Sequence, residues 1–486
     1  MVAGIKYSTL KNIFWNFAEQ FLSKGISIAS NLILAWFLVP EDYALVAMLA
    51  VFIALSNVLV DAGFGQALIR KLEVSNLDLN TVFWTNIGLS VVIYGLVYVG
   101  APWVAYFYNE ERLEYMIQIV TLAIFFQSLI VVQKAVLSRE LNFKLQVKVV
   151  LPAAFLSSII AVWFAYMGFG VLALIYQILA NSFLLFVFYW LLKLWRPSFE
   201  YSFNHLKELW KFSRFIVADS IISIPFKNMY LIMLPKFFAL GPVGLYFFAE
   251  KIKEVVIGLI VNSVQTVTYP ALTKLQEDNH RLKEGYRILV GVTTFLMFPS
   301  MLALAALAPL LFDLLLPEKW QGAWIYLQLM IFAFLMYPIH SLNLNILQVK
   351  GRPDLLLYIG IYKKIVVIGI FIYTVQFGIV EVIIGHIFAS IFNYIPNAYY
   401  SSKLIDYSIR EQMADFIPSL ILSGLIAGLI YWLQLTLNWL PLVELVGLSI
   451  MASVLYLTGA YLLKLHAYQH AQELLFKRFK KKSVIL

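Results

Sequence analysis

Polar side chains repeat along the apolar segment that follows the N-terminus of this 486-residue chain. At ~100° per residue they fall within an arc of about 140° on one helix. An ionisable group at the centre of a bilayer costs at least about 2.5 kcal/mol, so this face meets either a hydrated cavity or a hydrogen-bonded seam between helices, and not lipid. The face consists of Asn12, Asn16, Glu19, Gln20, Ser23, Lys24, Ser27, Ser30 and Asn31.

The seventh apolar segment has a polar face of the same kind, in which Asp219, Ser223, Lys227 and Tyr230 follow one another at helical spacing. Pro225 lies within this face and predicts a kink, because proline removes a backbone hydrogen bond. Ser223 and Lys227 are therefore candidate binding groups, and Asp219 is a candidate for ion coupling.

The eighth apolar segment carries Tyr246, Glu250, Lys251, Lys253 and Glu254 near mid-membrane, within an arc of about 160°. Opposite charges three residues apart can pair with each other. The cluster is therefore either an ionic site that faces a lumen or a self-neutralising structural group.

Two further ionisable groups lie in apolar segments. His386 shares a face with Ser390, Asn393 and Asn397, and Asp61 lies near the inner end of the second segment. A histidine among hydrogen-bonding neighbours is more often structural, but imidazole can carry a proton near neutral pH. Asp61 either caps the following loop and packs against it or binds a coupling ion. The candidate coupling groups are Asp61, Asp219, Glu250, Glu254 and His386.

Four lysines near mid-membrane suit an anionic headgroup, because ammonium groups bind phosphate oxygens without demanding a fixed geometry. The sequence contains no Gly-rich phosphate loop, zinc-ligand spacing or nucleophile elbow, so we expect no catalysis, cofactor or metal. The candidate substrate-binding residues are Lys24, Lys227, Lys251 and Lys253, with Glu19, Gln20, Asn31, Ser223 and Tyr246 beside them.

The elements that position these residues are membrane helices. The chain is 62% hydrophobic and 13% charged, and apolar runs predict an all-α polytopic protein with fourteen transmembrane helices. Most of the 36 Lys and Arg residues fall in alternate connections, including Lys134 at the end of the fourth span. The other connections carry Arg112, Lys236 and Lys319. Both termini are therefore expected in the cytoplasm, and topology accounts for the net charge of +9 without nucleic acid.

Similar landmarks recur roughly 200 residues apart, as expected of two six-helix lobes related by an axis along the membrane normal. Gly170 opens the sixth predicted helix and Gly378 precedes the twelfth, and these helices end at Lys193 and Lys403. The alternative is a chance match, because apolar helices resemble one another. We predict an N-terminal lobe at 1–200, a C-terminal lobe at 201–406, two additional helices at 407–465, and a basic cytoplasmic tail at 466–486 that anchors the topology or binds a partner.

Five short segments resemble those of Wzx-type polysaccharide flippases in the MOP exporter superfamily, near the colanic acid and exopolysaccharide branch. They are LVPEDY at 38–43, VDAGFGQAL at 60–68, RELNF at 139–143, LGPVGLY at 240–246 and GRPD at 351–354. The resemblance implies that undecaprenyl-diphosphate-linked oligosaccharides enter between two rocking lobes of an inner-membrane protein, with the last two helices forming a groove for the lipid tail. It also implies membrane lipids, H⁺ or Na⁺, and polysaccharide polymerase or assembly proteins as partners.

Two other functions compete with this interpretation. A cation-coupled drug or metabolite antiporter can share the fold, although lysines in mid-membrane disfavour cationic substrates. A membrane glycosyltransferase, polymerase or ligase usually needs a sizeable outer loop, and the predicted outer loops are short.

Overall fold

The computed structural model describes residues 2–273, 275–437 and 439–469, with side chains for all of these except 2–14, 16, 17 and 259–271. The described residues form helices and no strand, as expected where a bilayer forces the backbone to satisfy its own hydrogen bonds. The predicted basic tail therefore lies largely outside the described residues, as do the side chains of Asn12 and Asn16.

The helices of the first part of the chain are α1 (Val2–Phe37), α2 (Pro40–Asp61), α3 (Phe64–Arg70), α4 (Asn76–Tyr108), α5 (Arg112–Val120), α6 (Ala123–Ser128), α7 (Val131–Arg139), α8 (Phe143–Tyr166), α9 (Leu172–Leu191), α10 (Phe203–Lys227), α11 (Met229–Phe237) and α12 (Leu240–Thr273). Those that follow are α13 (Asn279–Leu315), the 3₁₀ helix Glu318–Trp320, α14 (Ala323–Phe334), α15 (Tyr337–Val349), α16 (Pro353–Thr374), α17 (Ile379–Ile405), α18 (Ile409–Thr436) and α19 (Pro441–Leu462).

Among the described residues, ten helical spans are long and apolar enough to cross a membrane, or twelve if each of two bent pairs counts as one. Helices α1 and α12, with 36 and 34 residues, also exceed the ~20 residues that a crossing needs. The predicted fourteen spans are consistent with this set. The all-α, multi-pass membrane fold is confirmed.

The chain divides into two compact units, Met1–Phe247 and Phe248–Leu486. In the first unit α1 packs on α8, α8 on α9, and α10 on α2, α3 and α4. In the second unit α13 packs on α14, α18 and α19, while α17 packs on α14, α15 and α16. The predicted lobe boundaries, which rest on the sequence repeat, stay a prediction.

Two of the five resemblance segments contact each other in the first unit. A Cβ added to Gly244 would lie 1.7 Å from the Pro40 carbonyl oxygen, so the backbones of α12 and α2 touch where a side chain cannot fit. A Cβ at Gly241 would likewise lie 2.9 Å from the Glu41 carboxylate. The glycines of the LGPVG sequence thus hold the start of α12 against the start of α2.

Ion pairs join helix ends on the predicted cytoplasmic side of the first unit. Asp78, at the start of α4, is bonded to Lys71 at 3.0 Å and to His205 at 2.6 Å. Burial alone would lower the pKa of Lys71, but hydrogen bonds to Asp78 and Glu208 raise it above its ordinary value. The Arg139 guanidinium donates to carbonyls at the C-terminal end of α3 and just beyond it, among them those of Leu68 and Leu72. These contacts fix the ends of α3, α4, α7 and α10.

Candidate functional site

The polar face of α1 divides into two edges. Ser30 is buried and accepts a hydrogen bond from Gln177 Nε2 at 3.1 Å, and Ser23 Oγ is enclosed on the same side. Lys24 and Ser27, farther round the helix, are exposed. One edge is therefore an interhelical seam, and the other is an open polar surface. The seam alternative therefore holds for the edge with Ser30, while a hydrated cavity at the other edge stays a prediction.

Lys134 is the functional candidate that sequence reasoning missed. Its ammonium group lies inside the first unit, where it interacts electrostatically with the carboxylates of both Asp61 and Glu19. It also donates to Gln127 Oε1 at 3.2 Å. Asp61 Oδ1 in turn accepts a hydrogen bond from the Gly65 amide at 3.1 Å. With both carboxylates ionised, these three groups would carry a net charge of −1, which makes them a candidate site for a proton or a small cation.

A broken span places Lys134 in this position. The axis bends by 44° between Arg112–Ser128 and Val131–Arg139, directly before the turn that carries the lysine. Beyond the break, a cavity of about 370 Å³ extends beside the ammonium group. Its polar lining comes from α2, α3, α6 and α7, namely Asn57, Asp61, Gln66, Gln127, Lys134 and Ser138.

The polar face of α10 is largely open. Asp219 and Lys227 are exposed, and Ser223 Oγ donates to Asp219 Oδ1 at 3.2 Å. The kink predicted from Pro225 is present as a 44° bend between α10 and α11. At the bend, Asn228 Nδ2 donates to the Ile224 carbonyl at 2.8 Å and so satisfies a backbone group near the break.

In the second unit, Lys253 and Glu250 form a close pair. Lys253 Nζ donates to both carboxylate oxygens at 2.6 Å and lies 3.5 Å from the ring centroid of Phe334. The Lys253 residue is only 2% exposed, so a ligand reaches this ammonium group only if the pair opens. The His386 ring lies 4.9 Å from that of Phe334 and interacts electrostatically with Lys253. Spacing and geometry agree with a self-neutralising pair.

The interior of the second unit also contains a neutral hydrogen-bond network. Asn343 Oδ1 accepts from Tyr286 Oη at 2.8 Å and from Ser401 Oγ. His340 contacts Asn397 Nδ2 at 3.0 Å and Ser390 Oγ at 3.4 Å. The network joins α13, α15 and α17 through uncharged side chains, and it contains two members of the polar face predicted around His386.

The predicted site residues are distributed over both units. Among the remaining candidates of the second unit, Glu254 is exposed and Lys251 is half-buried. Tyr246 is buried near the end of the first unit. The first unit contains Glu19, Gln20, Lys24, Asn31, Asp61, Asp219, Ser223, Lys227 and Tyr246, and the second contains Glu250, Lys251, Lys253, Glu254 and His386. Their role in binding or coupling stays a prediction.

Residues 33–325, more than half of the chain, match a family of sequences described as polysaccharide biosynthesis proteins. The chain belongs to this family. The family expected from the five short segments is thereby confirmed, and the fold and site described above are those of a polysaccharide biosynthesis protein.

Two relatives illustrate the range of the family. The teichuronic acid biosynthesis protein TuaB of Bacillus subtilis is 25% identical over 306 residues, and the match covers 62% of this chain and 63% of TuaB. The lipopolysaccharide biosynthesis protein WzxC of Escherichia coli is 24% identical over 445 residues, with 86% of this chain and 88% of WzxC covered.

Solved structures with the same fold include the lipid II flippase MurJ in an inward closed conformation. It superposes with a TM-score of 0.75 at 13% identity, over 93% of this chain and 99% of that one. An inward-facing multidrug resistance MATE transporter of the MOP superfamily superposes with a TM-score of 0.61 at 15% identity, over 82% of this chain and 96% of that one. This family member therefore has the MOP fold.

Proposed function

We propose that this chain is a transporter, not an enzyme, that flips polyprenyl-diphosphate-linked oligosaccharides across the bacterial inner membrane by alternating access. The observation that carries the proposal is the exposure of the Lys24 and Lys227 ammonium groups on polar faces of membrane-length helices. A diphosphate is the anionic group of such a substrate, and charge-assisted hydrogen bonds to it are strong. The names of the relatives and the likeness to a lipid II flippase support this substrate class.

The other predicted binding groups fit the sugar part of such a substrate. Gln20, Asn31 and Ser223 supply amide and hydroxyl groups that exchange hydrogen bonds with sugar hydroxyls. Asn31 Nδ2 donates to the Ser27 carbonyl at 2.7 Å, which leaves its amide oxygen as an acceptor. The lipid tail stays in apolar surroundings, where α13, α18 and α19 line a cavity of about 300 Å³ with Phe295 and Tyr456 in its wall.

The interior site of the first unit supports coupling to H⁺ or Na⁺. Protonation of Asp61 or Glu19, or binding of a cation between them, changes the balance of charge around Lys134. Asp219, Glu250, Glu254 and His386 are the remaining coupling candidates. Polysaccharide polymerase or assembly proteins belong to the same proposal as partners.

A cation-coupled drug or metabolite antiporter is the second candidate, favoured by the likeness to a multidrug transporter. Exposed lysines repel cationic drugs, so this alternative requires the polar faces of α1 and α10 to lie outside the transport path. A membrane glycosyltransferase or polymerase is a weaker alternative.

Reconstitution distinguishes these functions. Purified protein in liposomes with fluorescent polyprenyl-diphosphate oligosaccharides is expected to expose the inner-leaflet label to an outside probe, whereas liposomes without protein do not. Lys24→Gln and Lys227→Gln are expected to slow this exposure, with Lys148→Gln, an exposed lysine of α8, as control. Transport of a lipophilic cation without movement of the labelled lipid would overturn the proposal in favour of the antiporter.

A further inference from the structure

A groove on the first unit runs between α2, α4 and α10, and its lining shares no residue with the cavity beside Lys134. It has a volume of about 520 Å³, within the range of small-molecule sites. Its walls are almost entirely apolar and include Leu59, Phe64, Leu89, Leu206 and Trp210. The polar residues of the lining are Thr85 and Lys207, and Thr85 Oγ1 already donates to the Thr81 carbonyl at 2.7 Å.

The groove opens toward lipid. Beside it on α4, Val92 and Leu96 are 57% and 65% exposed, and apolar side chains this accessible on a membrane-length helix need lipid to cover them. The part of α10 that lines the groove extends from Phe203 to Val217, about 21 Å at the rise of an α-helix. Because Lys207 and Lys211 belong to the basic residues of the predicted cytoplasmic side, the first two turns of this length lie among the headgroups and the rest enters the hydrocarbon core. The groove therefore lies at the depth of the inner leaflet.

Basic side chains of α10 lie along the edge of the groove. Lys207 and Arg214 are seven residues apart, about two turns, and so share the face that also carries Trp210. Both are exposed, and Lys211 between them is exposed as well. Among the described residues, none of these three cations forms a salt bridge, whereas nearby Lys71 is bonded to two carboxylates.

We propose that this groove binds an anionic phospholipid of the inner leaflet, with one acyl chain along α4 and α10 and its phosphate held by Lys207 and Arg214. Both halves of the ligand are matched, since the apolar wall accepts an acyl chain and the cations at its edge form no salt bridge within the part of the chain that the structure describes. Basic pockets between membrane helices on the cytoplasmic side are suited to anionic headgroups. The site is separate from the proposed transport function and does not depend on it.

Native mass spectrometry of the delipidated full chain, titrated with phosphatidylglycerol or phosphatidylcholine, tests the site. We expect one retained phosphatidylglycerol at concentrations where phosphatidylcholine is lost. Lys207→Gln combined with Arg214→Gln is expected to weaken binding roughly 30-fold, equivalent to about 2 kcal/mol for two basic residues. The control pair Lys144→Gln and Lys148→Gln, also exposed and on one helix, should change it less than about twofold.

A second measurement keeps the location testable. Leu89→Trp fills the groove and is expected to abolish retention while leaving the cations in place. If that variant fails to fold, a photoreactive phenylalanine at position 210 is expected to capture phosphatidylglycerol in mixed vesicles. The proposal would be overturned if the Lys207 and Arg214 pair and the control pair weakened binding equally, or if phosphatidylcholine were retained as well as phosphatidylglycerol. Capture of only polyprenyl diphosphate at position 210 would also overturn it.

Discussion

The two units differ in how their interior charges are arranged: Lys134 in the first unit interacts with two carboxylates, whereas Lys253 in the second unit forms a close pair with one. Lys134 interacts electrostatically with Asp61 and Glu19 and lines a cavity of about 370 Å³. In the second unit, Asn343 and His340 are the centres of hydrogen-bond networks, and the close ion pair of Glu250 and Lys253 lies against Phe334. A charged cavity changes its energy when a proton or ion binds, while a hydrogen-bonded network mainly fixes helix positions. We therefore propose that the first interior responds to a proton or ion, whereas the hydrogen bonds of the second mainly fix helix positions.

The largest effect on stability is expected for Lys134→Met. Removing this cation leaves the half-buried carboxylates of Asp61 and Glu19 without the positive charge that both interact with, and the upper bound of the cost is that of an unpaired buried charge, about 3–5 kcal/mol. The apparent Tm in detergent, followed by tryptophan fluorescence, should fall by many degrees. Asp61→Asn added to Lys134→Met restores the original net charge and should recover most of the loss. A Tm unchanged from that of Lys148→Met, an exposed control, would remove the basis for a charged interior site.

A smaller loss is expected for Lys253→Met in the second unit. Glu250 then lacks its partner, but its side chain is 18% exposed and can hydrate, so we expect about 2–3 kcal/mol. The same Tm measurement on Glu250→Gln combined with Lys253→Met should return to within about 1 kcal/mol of the parent. Failure of this double change to recover stability would mean that the pair does more than neutralise itself.

The sequence predicted the polar face of α1 because the face depends on periodicity within one continuous helix. It also gave the pairing of opposite charges three residues apart, such as Glu250 and Lys253, as one of two alternatives for the cluster. It did not predict the interior position of Lys134, since that depends on a bend after Ser128 which no proline or glycine marks. Basic residues near the end of a span are ordinarily counted with the loop.

The hydrogen bonds around Asn343 and His340 could not be predicted from the sequence either. His340 and Asn343 lie on α15, and their partners Asn397 and Ser401 lie on α17, more than fifty residues away. Periodicity identified the face around His386 but gave no partner for it. Contacts between helices depend on packing, which a single sequence does not contain.

Asn343→Ala should have a moderate effect. Tyr286 and Ser401 lose their common acceptor inside the second unit, which costs about 1–3 kcal/mol. Asn345→Ala is the matched control on the same helix, because Asn345 Nδ2 has no hydrogen-bond partner among the described residues. We expect a larger fall in Tm for Asn343→Ala than for Asn345→Ala. The reverse order would show that the network does not hold α15 to α17.

The smallest change in stability is expected for Lys24→Gln and Lys227→Gln, within about 0.5 kcal/mol, because both side chains are exposed. Their binding of polyprenyl diphosphate should nevertheless weaken about tenfold each, since a charge-assisted hydrogen bond is lost. Equilibrium binding of a fluorescent analogue measures this. Unchanged affinity in both variants would place the headgroup elsewhere.

The most direct test compares flipping by two rescued double variants in the same liposome assay. Asp61→Asn with Lys134→Met alters the responsive interior of the first unit, and Glu250→Gln with Lys253→Met neutralises the pair in the second unit. We predict that the first double variant folds but no longer flips labelled polyprenyl-diphosphate oligosaccharide, while the second flips it at close to the parent rate. Parent-level flipping by the first, together with loss of flipping by the second, would contradict the assignment of the two interiors.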